Sequence, residues 1–308
     1  MSTGAAPIIV TPSVLAGSLE RALRSDQAQI AISETQIATG QAVSLPSDNP
    51  AQAANVLQLG AAVSRAKQYA VNAQDGASRL SLANATVSSV LRVLQQVVST
   101  LEGLTGDQTT GSQATVAGVS TAVASARTQL IDLANTLYAG QAIFSGTGTP
   151  RHAYSPTGTY VGAGTAPTRT VAPATRVAVS VTGPAVFGPT GPTGLLGKTG
   201  ILATIAADLA KGTSASVSKA ATTGLSSLQT AMSKVEPQAG QLGADQQAIQ
   251  GFAEQASAAV TSFEQELSAA QDVTMAQAIT NLQAQQTAYK AALYVTSQLN
   301  AESLITYL

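Results

Sequence analysis

A chain of 308 residues without a single cysteine can form no disulfide, thiolate metal site or cysteine nucleophile. Charged residues make up only 10% of it and the net charge is −1, so it has neither the basic footprint of a nucleic-acid binder nor an acidic tail. Hydrophobic residues amount to 44% and fall at regular spacings, which argues against disorder.

The opening, MSTGAAPIIVTPSVLAGS, has no Lys or Arg before Arg21, and Pro7 and Pro12 interrupt its apolar run. It is a poor secretory signal. No run of about 18 apolar residues follows, so no membrane-spanning helix is expected and the chain reads as soluble and unprocessed. A first amphipathic helix starts near Pro12 and presents Leu15, Leu19, Leu23, Ile30 and Ile37 on one face. It runs into dense punctuation in TGQAVSLPSDNPAQAANVLQL, residues 39–59. Gly40, after Thr39, stands where a helix end favours a left-handed residue. Pro46 prevents the helix from resuming. Asn49 is a good N-cap with Pro50 at the first helical position, where a missing N–H costs nothing, and Ser47 and Asp48 add capping oxygens. An ordered joint between two helices is therefore expected here.

Beyond the joint, Val56, Val63, Ala70, Ala77, Asn84, Leu91 and Val98 recur every seven residues, and Leu59, Ala66, Ala73, Leu80, Val87, Leu94 and Leu101 form the partner row. Such 3–4 spacing predicts a coiled-coil-like helix roughly 70 Å long. Asn84 breaks the apolar rule in mid-seam. It is either a register-setting polar contact or part of a face turned outward. A second stripe runs Val116, Val119, Val123, Ala126, Leu130, Leu133 and Leu137, reached through the short Gly/Thr-rich link TGDQTTGSQ expected between antiparallel helices.

Residues 145–199 then change character, with Gly, Pro and Thr crowding together and no heptads. TRVAVSV, with Val177, Val179 and Val181 on one face, reads as a strand, and TYVGAG and PAVFG offer shorter ones. GILATIAADLAKG reads as a short helix with Ile201, Ile205 and Leu209 inward and Gly212 closing it. A third stripe runs from Leu225 through Leu228, Val235, Leu242, Ile249, Ala256, Phe263 and Leu267 to Ala270, and Pro237 is expected to kink or divide it. A shifted series, Met275, Ile279, Leu282, Gln286, Tyr289 and Leu293, continues to the end.

The predicted architecture is mainly α: a long antiparallel coiled-coil-like bundle formed by the N- and C-terminal halves, with a small β-rich domain inserted in the middle. Residues 1–45 and 271–308 would pair as terminal helices, 46–144 with 200–270 would form the bundle, and 145–199 the insert. Val63, Leu80, Leu91, Leu94, Val98, Leu130, Leu133, Phe263 and Leu267, with Asn84, are the residues expected at the bundle seam. The last segment keeps Leu293, Leu299, Leu304, Ile305, Tyr307 and Leu308 close to the C-terminus, where apolar residues usually thin out. Together with the first helix's stripe they imply cover from neighbouring subunits.

Chemistry is sparse. The single histidine, His152, has no partners: GxSxG, HExxH and an Asp-rich cation loop are all missing from the sequence. SDNP lacks the Gly and distal Glu of a calcium loop and is better read as capping. FSGTGTP lacks the Lys-Ser/Thr of a phosphate loop and follows a helix rather than a strand. With seven Tyr, four Phe and no Trp there is little material for a ligand pocket. No catalytic, cofactor or metal site is expected, and the chain reads as a non-enzyme.

QIATGQAVSLPSDNPAQAANVLQL resembles the N-terminal signature of the bacterial flagellin superfamily, and DVTMAQAITNLQAQQTAYKAALYVTSQLNAESLITYL is similar to that family's other characteristic end. Asn49 stands where Asp is common, and the first fourteen residues do not match the usual opening. SLITYL, YAGQAIFSGTGTP and VSVTGPAVFG look most like the members that join hook to filament. The resemblance implies an extracellular structural protein of the bacterial flagellum, exported through the flagellum's own type III channel without a cleaved signal. It further implies that the terminal helices form an inner assembly layer and the bundle an outer one, with the joint at Thr39, Gly40 and Pro46–Pro50 between them. Implied partners are other axial subunits (hook-associated protein and flagellin), copies of itself in a ring or helical layer, and an export chaperone on the C-terminal helix, with no nucleic acid and no membrane insertion. A filament-forming flagellin is the alternative reading. An adhesin or secreted effector built on a coiled coil is a third.

Overall fold

The computed structural model describes residues 12–43, 49–106, 113–148 and 150–305, and within these the side chains of 12–16, 105–106 and 299–305 lie outside the description. Ala-, Leu- and Gln-rich runs with apolar residues three and four apart form helices. These are α1 (Pro12–Thr39), α2 (Pro50–Gly106), α3 (Gln113–Ala134), α4 (Gly183–Phe187), α5 (Ile201–Ala210), α6 (Ser214–Lys219), α7 (Leu225–Gln271) and α8 (Met275–Ile305). A π-helical turn, Ala220–Gly224, links α6 to α7. Two antiparallel hairpins make up the described sheet structure: β1 (Leu137–Tyr138) with β2 (Gln141–Ala142), and β3 (Thr168–Ala172) with β4 (Thr175–Ala178). The chain is a mainly helical bundle with a small β insert.

It divides into two compact units, a terminal one of Met1–Ser64 with Thr261–Leu308 and a central one of Arg65–Val260. The sequence reading puts these boundaries at 45/46 and 270/271 and sets 145–199 apart. In the structure the division falls within the long helices, and side chains from 145–199 share the central unit's core.

In that core α2 buries one row of Ala73, Leu80, Val87, Leu94 and Leu101, and α7 buries Leu228, Val235, Leu242 and Ile249, each seven residues from the next. From α3 come Val116, Val123 and Leu130. The second row of α2 differs from expectation. Ala83, Val90 and Val97 are buried, whereas Asn84, Leu91 and Val98 are half-buried. A seven-residue apolar row has two flanks, and the neighbouring elements decide which one is covered. Asn84 thus lies beside the seam rather than at its centre. Leu133 is likewise half-buried, and Leu137 leaves the stripe altogether, entering β1 with 44% of its surface exposed.

Helix α7 runs through Pro237 without dividing. Pro237 is exposed while Val235 and Leu242 on either side of it are buried. The ring therefore projects to solvent, where the carbonyl it deprives of a partner can meet water. Gly76 has a packing reason: a Cβ there would collide with Ile249 of α7 and come within 2.8 Å of Val179 Cγ1. A side chain there would have to displace the Ile249 and Val179 methyl groups that fill the space.

The insert is less β-rich than expected. Val177, Val179 and Val181 are buried, but β4 ends at Ala178. TYVGAG contributes only isolated bridges, Tyr154 with Tyr160 and Gly146 with Ala163. PAVFG is helix α4 rather than a strand, because Pro184 pre-sets a helical first turn and burial draws Val186 and Phe187 inward. The Phe187 ring packs edge-on to Phe144 and Tyr154, with centroids 5.6 and 5.4 Å apart. Hairpin β3–β4 is pinned to α2: Arg169 Nε donates to Asp75 Oδ2 at 2.9 Å, and Asn72 Nδ2 donates to the Thr170 carbonyl at 2.9 Å. Burial alone would raise the Asp75 pKa, but hydrogen bonds from Arg169 and Tyr138 outweigh it and hold the carboxyl below its ordinary value. In α5, Asp208 accepts from Lys211 at 2.8 Å and pairs with Lys219 at 3.0 Å, and these contacts lower its pKa against the effect of burial.

Candidate assembly site

The terminal unit is built on one antiparallel helix pair. Helix α1 turns Leu19, Leu23, Asp26, Ile30, Ser33 and Ile37 toward half-buried or buried positions, spaced alternately four and three apart. Helix α8 answers with Ala278, Leu282, Gln285, Tyr289, Ala292 and Thr296 at the same alternation. Met275, Ile279 and Leu293, expected in this stripe, are instead exposed, each at 43%. The apolar arc of α8 is wider than α1 can cover, and polar contacts select the side. The Ser33 hydroxyl donates to Gln285 Oε1 at 2.9 Å, and Gln27 Nε2 donates to the Tyr289 hydroxyl at 2.6 Å.

At one end of the pair the chain changes helix twice, and the two changes are stitched together. Thr39 closes α1, its hydroxyl donating to the Thr35 carbonyl at 2.8 Å. Gly40 follows with φ +72°, and its N–H reaches back to the Gln36 carbonyl at 2.8 Å. On the other strand α7 ends at Gln271 and α8 begins at Met275. Between them Ala42 N–H donates to the Gln271 carbonyl at 2.7 Å, and Val273 N–H donates to the Gly40 carbonyl at 2.9 Å. Gln41 thereby pairs with Asp272 as an antiparallel bridge. Asn49 accepts the Gln52 N–H at 3.1 Å and so caps α2, which begins at Pro50. The Gln52 side chain in turn donates to the Ala270 carbonyl at 2.8 Å. Orphan backbone groups at the ends of α1 and α7 and at the start of α2 are satisfied in one place.

Of the joint residues read from the sequence, Thr39, Gly40, Asn49 and Pro50 meet here, while Pro46, Ser47 and Asp48 lie outside the described residues. The second half of the joint, Gln271–Val273, is absent from the sequence reading. Its signal is the capping-box spacing Thr274-x-x-Gln277 just after it. Of the assembly residues, Leu19, Leu23, Ile30 and Ile37 are half-buried and Leu293 is exposed. Leu15, Leu299, Leu304 and Ile305 lie in helices but their side chains are outside the description, and Tyr307 and Leu308 are outside it altogether. Of the seam residues, Val63, Phe263 and Leu267 belong to this unit, the first buried and the others half-buried. Further apolar surface stands open on Leu57 (71%), Tyr294 (64%), Val295 and Ile32. Among the described residues no group of His, Asp and Glu could hold a metal, and His152 is exposed. Three clefts lined by described residues of the central unit measure about 70, 90 and 160 Å³.

Two family models match the chain, the bacterial flagellin N-terminal helical region over residues 11–149 and the bacterial flagellin C-terminal helical region over 225–308. The chain belongs to the bacterial flagellin family. It is a structural subunit of the flagellum, and the helices that form the stitched joint fall inside the two matched regions. No curated protein matches this flagellin-family chain in sequence. Among solved structures it is similar to a protein assigned as a flagellar hook-associated protein of Vibrio parahaemolyticus, with a TM-score of 0.62 and 19% identity over 72% of this chain and 99% of that one. It is also similar to FlgL of Bacillus cereus, with a TM-score of 0.56 and 14% identity over 68% of this chain and 99% of the other. At these identities the likeness is one of fold.

Proposed function

We propose that this flagellin-family subunit joins the hook-associated proteins to the flagellin filament, acting as a hook–filament junction protein (hook-associated protein 3) without enzymatic activity. The observation that carries the reading is the terminal unit's unfinished packing: paired helices with half-buried leucines inward and Leu57, Ile279, Leu293 and Tyr294 outward. Such a surface is stable when neighbouring subunits cover it. The sequence likeness of SLITYL and VSVTGPAVFG to junction proteins, and the fold likeness to hook-associated structures, support the junction in preference to the filament. The stitched joint would hold α1 and α8 against the starts and ends of the long helices as copies assemble into a ring or helical layer. Export as an unfolded chain through the flagellar channel, with a chaperone on α8, accords with a terminal unit that has little core of its own.

A subunit that joins unlike surfaces stops growing once its partners cap it, whereas a filament subunit propagates indefinitely. The test adds purified protein to hook-basal bodies carrying the preceding hook-associated protein, then adds flagellin. Addition of a short, limited layer on which flagellin elongates is the expected result. Unlimited elongation by this protein alone would assign it to the filament instead.

A further inference from the structure

In the central unit one carboxylate serves two donors, one of them a cation, and leaves a second cation unserved. Asp75 Oδ1 accepts the Tyr138 hydroxyl at 2.9 Å and Oδ2 accepts Arg169 Nε at 2.9 Å. Arg79, one turn further along α2, is only 6% exposed, and its Nε is buried without an acceptor. Burial and the nearby Arg169 charge both work against its protonated form and Asp75 only partly offsets them, yet a guanidinium stays charged at any physiological pH. The cluster therefore holds two guanidinium charges against one carboxylate. A buried charged donor without a partner is costly to the fold, so an acceptor that reaches it is bound with that cost returned.

We propose that Arg79, flanked by Arg169 and Tyr138, is a binding site for a carboxylate or a similarly small oxyanion. The guanidinium fork matches the planar pair of carboxylate oxygens, and the slight exposure of Arg79 restricts the ligand to a small group. Two sources share that chemistry: an Asp or Glu side chain of a neighbouring subunit, and a free anion from solution. The site lies outside the terminal unit and is independent of the junction reading.

The test titrates the dilute full-length monomer, labelled with ¹⁵N-arginine, with acetate replacing chloride at constant ionic strength. The Arg79 Nε–Hε resonance is assigned by its loss in Arg79→Lys. It should shift saturably, and the thermal midpoint should rise in the wild type but not in Arg79→Met. Two further variants separate the site from a folding defect, because they act in opposite directions. Arg169→Gln frees Asp75 Oδ2 for Arg79 and should weaken acetate binding about tenfold; Asp75→Asn removes the competing charge and should tighten it by about the same factor. A resonance that stays put up to about 100 mM acetate, where one charge-assisted pair should already be populated, overturns the proposal. So does an equal thermal response in wild type and Arg79→Met. Repeating the titration on assembled protein identifies the source. A lost response means that a neighbour's carboxylate fills the site, and a retained one means a free anion. The monomer arm stands or falls whether or not the protein caps a hook.

Discussion

The central and terminal units are made from the same Ala-, Leu- and Gln-rich helices, yet only one has a full core. Leu80, Leu94, Leu101, Leu130, Leu228 and Leu242 of the central unit are fully buried. Among the described apolar residues of the terminal unit, only Val63 and Ala278 are buried, and its leucines and isoleucines are half-covered or exposed. The difference is one of layers. In the central unit α2 and α7 are joined by α3, α5 and the insert, so that several elements share one core. In the terminal unit α1 has α8 as its main partner. A helix pair covers one stripe on each member and leaves the rest to whatever packs beside it. The core is thus closed in one unit and left open in the other.

Hydrogen exchange on the monomer probes this contrast most strongly. Amides of α2 between Ala73 and Leu101 should exchange about a thousandfold or more slowly than those of α1 and α8, the ratio for opening energies that differ by ~4 kcal/mol. Equal protection in the two units would break the comparison. Truncations sharpen it: Leu80→Ala should cost about 2–5 kcal/mol in chemical denaturation, whereas Ile30→Ala, removing a half-buried side chain, should cost about 1 kcal/mol in the monomer but block assembly. Gly76→Val should cost about 1–3 kcal/mol by overpacking the Ile249 and Val179 side chains. Gly40→Val meets no steric neighbour and should cost about 1–2 kcal/mol, through its φ of +72° alone; Gly40→Asn should recover most of that.

Acid should act on the central unit through Asp75 and Asp208. Their folded-state pKa values lie below the unfolded ones, so their contribution is complete above the ordinary carboxylate value of about 3.9 and disappears as pH falls through the folded values. Asp208→Asn should accordingly flatten the acid limb of the stability–pH curve while lowering stability at neutral pH. The smallest effect is expected from Glu20→Gln, which breaks an exposed pair with Arg24 on α1. Its cost should stay within about 0.5 kcal/mol.

Helix existence, the central rows of α2 and α7, and the joint at Gly40 and Asn49 were legible because each depends on local periodicity or on the φ and hydrogen-bonding habits of single residues. The same local rules misjudged PAVFG and the breadth of the β insert, where burial of Phe187 overrode short-range preference. Which flank of a stripe is covered could not be read at all. Asn84 against Ala83, and Leu293 against Ala292, differ by one residue along the chain, and only the placement of the neighbouring helix chooses between them. The pairing of Gly40–Ala42 with Gln271–Val273 joins residues more than two hundred positions apart, and backbone hydrogen bonds carry no side-chain code to announce such a partner. Along the chain, then, spacing determined which segments are helical and where they end. The tertiary structure decided which sides touch, because a helix displays every face and packing selects among them.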